Sequence, residues 1–474
     1  MKKNLIVNLD KTLINSNIFH EIFLSACSKN WRVLFKFFIW FLCRKKNLKE
    51  KLNSYSDINV KCLPYNKGVL RYIRQHQKEG GFTTLLVESN KDVAKKIVEY
   101  LKLSNVIKIS SSKKISLNKN PKENFLKNRY GFKKYDFMGS SLNDLPFWKN
   151  ANKAISVGAN SITARACNQI NSNYHHIKLH SAKNTFFTFI KAMRAYHWIK
   201  NLIIFIPMLA AHQITTDNFI SSFYAFIVFS LVASSVYIIN DLLDLNTDRI
   251  HQYKKFRPIA SGIISIKEAF IFFQILFFIG IIFSFLIGFS FLVLIIAYYT
   301  LTFLYSLILK KIIILDISIL ALFYTIRIFA GSITTQIEIS FWLFVFSIFF
   351  FLSLAALKRQ SELVDLKNKK KTNILRRGYN VKDLSMINII SFCSGFASIL
   401  VAMFYINSTA TIVLNAKPWT LWFAYIILIF WLIRMFFSSI NGKINVDPII
   451  YAIYDNLSQL CFLIIMILFI INFI

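Results

Sequence analysis

Three carboxylates stand out in this chain: Asp241, Asp244 and Asp248, in the segment Asn240-Asp241-Leu242-Leu243-Asp244-Leu245-Asn246-Thr247-Asp248 at the end of a long apolar run over 219–239. Ionisable groups beside a hydrocarbon layer are costly and point to function by default. Their spacing of i, i+3 and i+7 predicts that one helix face carries all three. Carboxylates packed that closely repel one another until a cation neutralises them. An oxygen-only set, free of thiolate and imidazole, suits Mg²⁺, which is commonly held together with substrate phosphates. The segment therefore predicts Mg²⁺-dependent chemistry on a diphosphate, with a lipid as the other reactant. A merely solvated acidic loop is the weaker reading, because the chain holds only 23 acidic residues against 57 Lys and Arg.

Further polar groups sit at the ends of other apolar runs. They are Tyr305, Ser306 and Lys310; Asp316; Lys358, Arg359 and Glu362; the segment 257–262; and Asp447 and Asp455. Arg327 lies inside an apolar run, where a cation needs a partner or a water-filled cavity; a structural acid partner is the alternative to a substrate role. Lys310 and Lys311 alone fit lipid anchoring equally well. The basic run over 367–371 reads as a solvated loop against anionic lipid.

The elements that must position these groups follow from composition and patterning. The chain has 474 residues, is 55% hydrophobic and contains 48 Phe, which fits several membrane spans. Nine candidate spans lie near 198–213, 219–239, 268–287, 289–309, 312–334, 340–357, 386–406, 418–438 and 456–474. Lys and Arg concentrate in alternate loops, for example Lys254, Lys255 and Arg257, then Lys310 and Lys311, then Lys358 to Lys382. This alternation predicts a cytoplasmic N-terminal domain, a C-terminus outside, and the Asp segment on the cytoplasmic face of the plasma or inner membrane. The net charge of +34 is spread over these flanks, not gathered into one aromatic-interleaved patch. That argues against nucleic acid and for anionic lipid as partner. Six scattered Cys suggest neither a zinc site nor a disulfide framework, and the N-terminal apolar stretch is too short for a signal peptide.

Residues 1–180 differ from the rest. Short β-like runs at 4–9, 82–87, 135–138 and 154–157 alternate with helical segments at 69–78 and 91–101, with a polar linker over 171–184. That alternation predicts a doubly wound parallel α/β sheet, with its ligand site at the carboxyl ends of the strands. Two apolar segments, 18–27 and 31–43, are inserted after the first strand. The second is too short to span a bilayer and reads as a membrane-facing or inter-domain helix. The strand-end residues Asn8, Asp10 and Thr12, with the later loop Gly139-Ser140-Ser141-Leu142-Asn143-Asp144, resemble the haloacid-dehalogenase-like phosphatase superfamily. The resemblance places Asn8 at the nucleophile position, Asp10 at the acid/base, Ser89 and Lys122 at the phosphate-binding positions, and Ser140 and Asp144 at the metal loop. An amide cannot form the acyl-phosphate this chemistry needs, and Ser140 removes a metal carboxylate. The implied domain is a degenerate phosphatase fold with a docking or regulatory role, against a competing reading of retained hydrolysis.

The all-α remainder, 185–474, resembles the UbiA superfamily of intramembrane prenyltransferases. The marks are the Asp segment and Arg257-Pro258-Ile259-Ala260-Ser261-Gly262. Arg194-Ala195-Tyr196-His197-Trp198-Ile199-Lys200-Asn201, Tyr305 to Lys310, Leu357 to Glu362 and Asp447-Pro448 look like its polyprenyl-phosphate phosphoribosyltransferase branch. The second Asp-rich loop of aromatic prenyltransferases is replaced here by a segment beginning Lys358-Arg359. The resemblance implies phosphoribosyl diphosphate as donor and a polyprenyl phosphate as acceptor. Asp241, Asp244 and Asp248 would hold Mg²⁺, with Asn240 orienting them. Lys310, Lys358 and Arg359, together with Lys200, Tyr305 and Arg327, would bind phosphates and substrate. Glu362 and Asp316 would bind ribose hydroxyls, orient cations or complete a metal site. Prenyl transfer from a prenyl diphosphate to an aromatic acceptor is the alternative. A transporter or lipid-binding scaffold is a further one, but no internal repeat supports it.

Overall fold

The computed structural model describes residues 4–30, 32–42, 48–87, 91–108, 121–177, 185–370, 377–407, 418–444 and 447–473. Two compact units result, Met1–Met193 with Tyr237–Phe272, and Arg194–Val236 with Phe273–Ile474.

The first unit is built on six parallel strands: β1 (Asn4–Asn8), β2 (Phe82–Val87), β3 (Asn105–Lys108), β4 (Tyr135–Gly139), β5 (Ala154–Val157) and β6 (Tyr174–Ile177), in the order β3-β2-β1-β4-β5-β6. The doubly wound sheet expected from the alternating pattern is present. β1 is an unbroken apolar run because it lies centrally, and Leu5, Ile6 and Val7 are wholly buried. Phe137, Phe147 and Trp148 pack beside Ile6 in the same core. Two strands escaped the sequence pattern. β3 is short and partly polar, and β6 lies inside the stretch read as a linker over 171–184, whose remaining part, 178–184, is outside the described residues. Edge strands are half-exposed and need little apolar character, so periodicity misses them.

The inserted segments after β1 are helices, Ile18–Lys29 and Arg32–Leu42. Phe35 and Ile39 of the second are exposed. The same unit contains the end of the Thr216–Leu243 helix, the short helix Leu245–Ile250 and the return loop to Ile266.

The second unit is helical. Among the described residues, seven helices are each long and apolar enough to cross a membrane: Thr216–Leu243, Ile266–Ile287, Phe289–Leu307, Leu315–Thr335, Phe341–Asn368, Val381–Ile406 and Trp419–Ile440. This is a multi-pass membrane protein. Of the nine expected spans, the first is corrected. The first is replaced by a 3₁₀ segment, Ala195–Phe205, and a short helix, Ile206–Ala210. The last is present as the helix Asn456–Phe473, preceded by a short helix, Pro448–Tyr454, at an angle of 87°. An apolar window cannot distinguish a spanning helix from a short one pressed against neighbours.

The Ala195–Phe205 segment is held by side-chain bonds. Trp198 Nε1 donates to Ser234 Oγ at 3.0 Å, and Asn201 Nδ2 to Ser230 Oγ at 2.8 Å. Small buried residues allow such close approach between helices in lipid. Gly331 does the same on the Leu315–Thr335 helix: a Cβ there would lie 1.9 Å from the Ile204 carbonyl oxygen. Gly331→Ala is therefore expected to cost about 1–3 kcal/mol through backbone displacement, read as a lowered unfolding temperature in detergent; an unchanged temperature would refute the close approach.

Candidate active site

The polar groups fall into separate clusters. The first is the Asp segment. The single helix face predicted from the spacing is interrupted. The Thr216–Leu243 helix ends one residue before Asp244, which takes φ −92° and ψ 9°, and a new helix starts at Leu245. Thr247 Oγ1 donates to the Asp244 carbonyl at 2.7 Å, a local bond that competes with regular helix. Across this break Asp241 and Asp248 still converge. Arg257 Nη1 lies 3.1 Å from Asp241 Oδ1 and 2.5 Å from Asp248 Oδ2, and both carboxylates are buried. Burial raises the Asp248 carboxyl above its ordinary value; the Arg257 guanidinium pulls it back and the Asp241 carboxylate pushes it up.

Among the described residues no three His, Cys, Asp or Glu stand together as a ready metal-holding group. Arg257 takes the place beside Asp241 and Asp248 that the sequence reading gave to a metal ion. The donor chemistry nevertheless fits Mg²⁺. The segment offers carboxylate oxygens only, and its three acids outnumber Arg257 and Lys254, the cations beside Asp248.

Arg257 is positioned by its own loop. Ser261 Oγ donates to the Arg257 carbonyl at 2.9 Å, closing a turn that ends at Gly262, whose φ is +76°. A side chain at Gly262 would meet Pro64 Cβ at 3.0 Å and Asn15 Cβ at 3.2 Å. Arg249 Nε donates to Ala260 O at 3.0 Å, and its two terminal nitrogens bind Glu21 at 2.8 and 2.9 Å.

In the second unit two further groups form. Asp447 Oδ2 accepts from Lys200 Nζ at 2.6 Å and from Lys358 Nζ at 2.9 Å. Burial alone would raise the Asp447 carboxyl, but Lys358 and Lys200 outweigh it and hold the group well below the carboxylate range. Two lysines on one acid leave a net positive charge.

The other group centres on Arg359, which is wholly buried. Its Nε bonds Asp316 Oδ2; its Nη2 reaches Asp316 Oδ1 and Tyr305 Oη, each at 3.1 Å; its Nη1 reaches Glu362 Oε2 at 2.9 Å. Tyr305 donates to Asp316 at 2.8 Å, and Arg377 binds Glu362 at 2.9 Å. Tyr305, Asp316, Arg359 and Glu362 are thus brought together as the sequence reading grouped them, but the Arg359 guanidinium is taken by protein groups.

Arg327 shares the Tyr324 ring with Lys200, each cation 5.6 Å from its centre. It bonds Asn201 Oδ1 at 2.7 Å and the Phe323 carbonyl, with the Phe229, Tyr298 and Tyr324 rings within 5.0–5.8 Å of its guanidinium carbon. The partner is an amide and an aromatic cage, not the acid considered as its structural alternative. Lys310 sits in the turn Leu309–Lys311, and Asn240 precedes the Asp segment on its helix.

At the strand ends of the sheet, Asn8 Nδ2 donates to Asp144 Oδ1 at 2.9 Å. The other oxygen of Asp144 accepts from Ser140 N, Ser141 N and Ser141 Oγ at 2.9–3.1 Å. Burial raises the Asp144 carboxyl, against these donors. Asp10 Oδ1 accepts from Ile18 N at 2.7 Å, at the start of the Ile18–Lys29 helix. Ser89, the side chain of Lys122, and Lys371 lie outside the described residues.

Asp447, Arg377, Arg249 and Glu21 were missed as site residues. Asp447 stands among the polar groups at the ends of apolar runs but was given no role, and Glu21 stands out as a lone acid in the apolar stretch Ile18-Phe19-His20-Glu21-Ile22-Phe23-Leu24.

The model of the UbiA prenyltransferase family matches residues 201–445. An uncharacterized protein, y4nM, of Sinorhizobium fredii is 30% identical over 465 residues, covering 96% of this chain and 88% of the relative. Decaprenyl-phosphate phosphoribosyltransferase of Mycolicibacterium smegmatis is 34% identical over 38% of this chain and 58% of that protein. Among solved structures, a UbiA homologue from Archaeoglobus fulgidus bound to GPP and Mg²⁺ aligns with 60% of this chain and 99% of its own at 14% identity, with a TM-score of 0.46. Apo phosphoserine phosphatase aligns with 35% of this chain and 91% of its own at 20% identity, with a TM-score of 0.26.

Proposed function

Because this chain belongs to the UbiA prenyltransferase family, we propose that it transfers phosphoribose from phosphoribosyl diphosphate to a polyprenyl phosphate, with Mg²⁺ as cofactor. The observation that carries the finer reading is the pair Lys200 and Lys358 on the single carboxylate of Asp447, a partly buried surplus of positive charge suited to a phosphate. The similarity to the M. smegmatis phosphoribosyltransferase supports the same choice. With an aromatic acceptor only the donor carries phosphate, and a second phosphate suits this surplus better than an aromatic carboxylate does.

In this reading Asp241, Asp244 and Asp248 would hold Mg²⁺, which supplies Lewis-acid stabilisation of a diphosphate leaving group. Lys200 and Lys358 bind a phosphate of donor or lipid, with Asp447 fixing both ammonium groups. Arg359 is a positioning residue: it fixes Glu362, which Arg377 also holds, and Glu362 is then set to accept from a sugar hydroxyl. Lys310, Tyr305 and Arg327 remain assigned to substrate binding and its support. The acceptor phosphate is anionic and needs no general base, so these residues act by orientation and charge. Incubation of purified protein with radiolabelled phosphoribosyl diphosphate, polyprenyl phosphate and Mg²⁺ tests the reading. Label is expected in the lipid phase. Turnover of a prenyl diphosphate with an aromatic acceptor instead would move the protein to the alternative reaction.

We also assign the N-terminal domain to the cytoplasmic side, in keeping with the basic residues at 254–257, 310–311 and 358–382. Its strand-end site is read as catalytically silent. Asn8 offers no nucleophile, Asp144 is saturated by four donors, and Asp10 is engaged by the Ile18 amide. No hydrolysis of p-nitrophenyl phosphate is expected, even after Asn8→Asp. Hydrolysis that disappears in Asp10→Asn would establish a working phosphatase.

A further inference from the structure

Glu21 and Arg249 are 228 residues apart in sequence, yet they form a buried bidentate pair within one compact unit, with side-chain exposures of 1% and 5%. A buried pair of this kind gives little net stability over apolar residues of the same size, so its value is in fixing geometry. What it fixes is specific. Arg249 directly follows Asp248 and also binds Ala260 O, in the loop that carries Arg257. Arg257 in turn holds Asp241 and Asp248. At the other end, the helix bearing Glu21 starts at Ile18, whose amide is held by Asp10. The residue that resembles a phosphatase acid/base therefore anchors the same first helical turn that grips the Asp segment through Glu21.

We infer that Glu21 is a positioning residue for the transferase reaction, acting through Arg249 to hold Asp248 and Arg257 in register, and that the N-terminal domain serves as a clamp on the Asp segment. The inference rests on the assignment of Asp241, Asp244 and Asp248 to the diphosphate site. It gives the degenerate domain a task that needs no substrate of its own.

Three variants of the full-length protein test it: Glu21→Gln, Arg249→Lys, and the exchange Glu21→Arg with Arg249→Glu. In metal-free protein, amide hydrogen exchange of peptides spanning 244–262 is expected to lose protection in Glu21→Gln, while β1 and β4 keep theirs. Transfer activity should fall, and the Mg²⁺ concentration for half-activation rise, by about 10- to 100-fold, as for residues that orient metal ligands. Arg249→Lys, which keeps the charge but loses the two-pronged contact, should fall between Glu21→Gln and the unmutated protein. The exchanged pair should recover only part of the loss, because a carboxylate at position 249 restores the ion pair but cannot donate to Ala260 O. Unaltered exchange over 244–262 in Glu21→Gln would overturn the inference, as would loosened exchange with unchanged activity and Mg²⁺ dependence. If the unmutated protein transfers nothing from phosphoribosyl diphosphate, the functional reading fails by itself, and the exchange experiment still decides whether Glu21 holds the Asp segment.

Discussion

Asp241→Asn is expected to abolish lipid-phase label, lowering transfer by at least about a hundredfold, the upper range for residues that merely orient metal ligands. The change is nearly isosteric and leaves an amide oxygen near Arg257 Nη1, so the fold should survive. What is lost is a full negative charge at the end of an apolar helix, where a carboxylate is costly unless a cation meets it. The effect should appear in kcat and in Mg²⁺ dependence together. Raising Mg²⁺ should recover part of the activity, since the two remaining acids still bind it. Full activity at ordinary Mg²⁺ would remove the Asp segment from the chemistry and favour a scaffold or transport role for the chain.

Arg359→Met is expected to produce the largest loss of stability, about 3–5 kcal/mol, because removing one partner strands a buried charge. Met matches the volume but takes the guanidinium from Asp316 and Glu362, leaving the neutral Tyr305 hydroxyl on Asp316 and Arg377 on Glu362. The companion variant Asp316→Asn with Arg359→Met removes the stranded charge and should regain much of the loss. Coupling between the two sites is therefore expected to be large and positive. Unfolding in detergent measures it, with activity of the folded fraction as the second readout. Additive losses would show that the pair does not act as a unit.

The contrast between Arg359 and Lys358 shows what was legible. Both are basic, adjacent and at the end of one apolar run, and the sequence reading gave both to phosphate. Their helical positions differ by about 100°. One side chain is therefore turned into the Asp316, Tyr305 and Glu362 nest, and the other shares Asp447 with Lys200. Neither Asp316 nor Asp447 is near them in sequence, so the assignment could not be made from spacing. The Asp segment shows the same limit on a shorter scale. Its residue types and membrane-edge location were evident, but the helix break at Asp244 and the capture of two carboxylates by Arg257 were not.

The two-part organisation, the doubly wound sheet, most of the apolar helices and the acidic character of the candidate site were legible in the residues alone. These depend on composition and on periodicity over a few turns or strands, which local hydrophobic patterning reports directly. Only the tertiary structure decided which cation each carboxylate meets, that the first apolar run is a short 3₁₀ segment against Gly331, and that Glu21 grips Arg249. Those outcomes depend on contacts between residues as far as 247 positions apart. A charge finds its partner there through chain topology and through the cost of leaving it unpaired in an apolar interior, and neither is written in any local stretch of sequence.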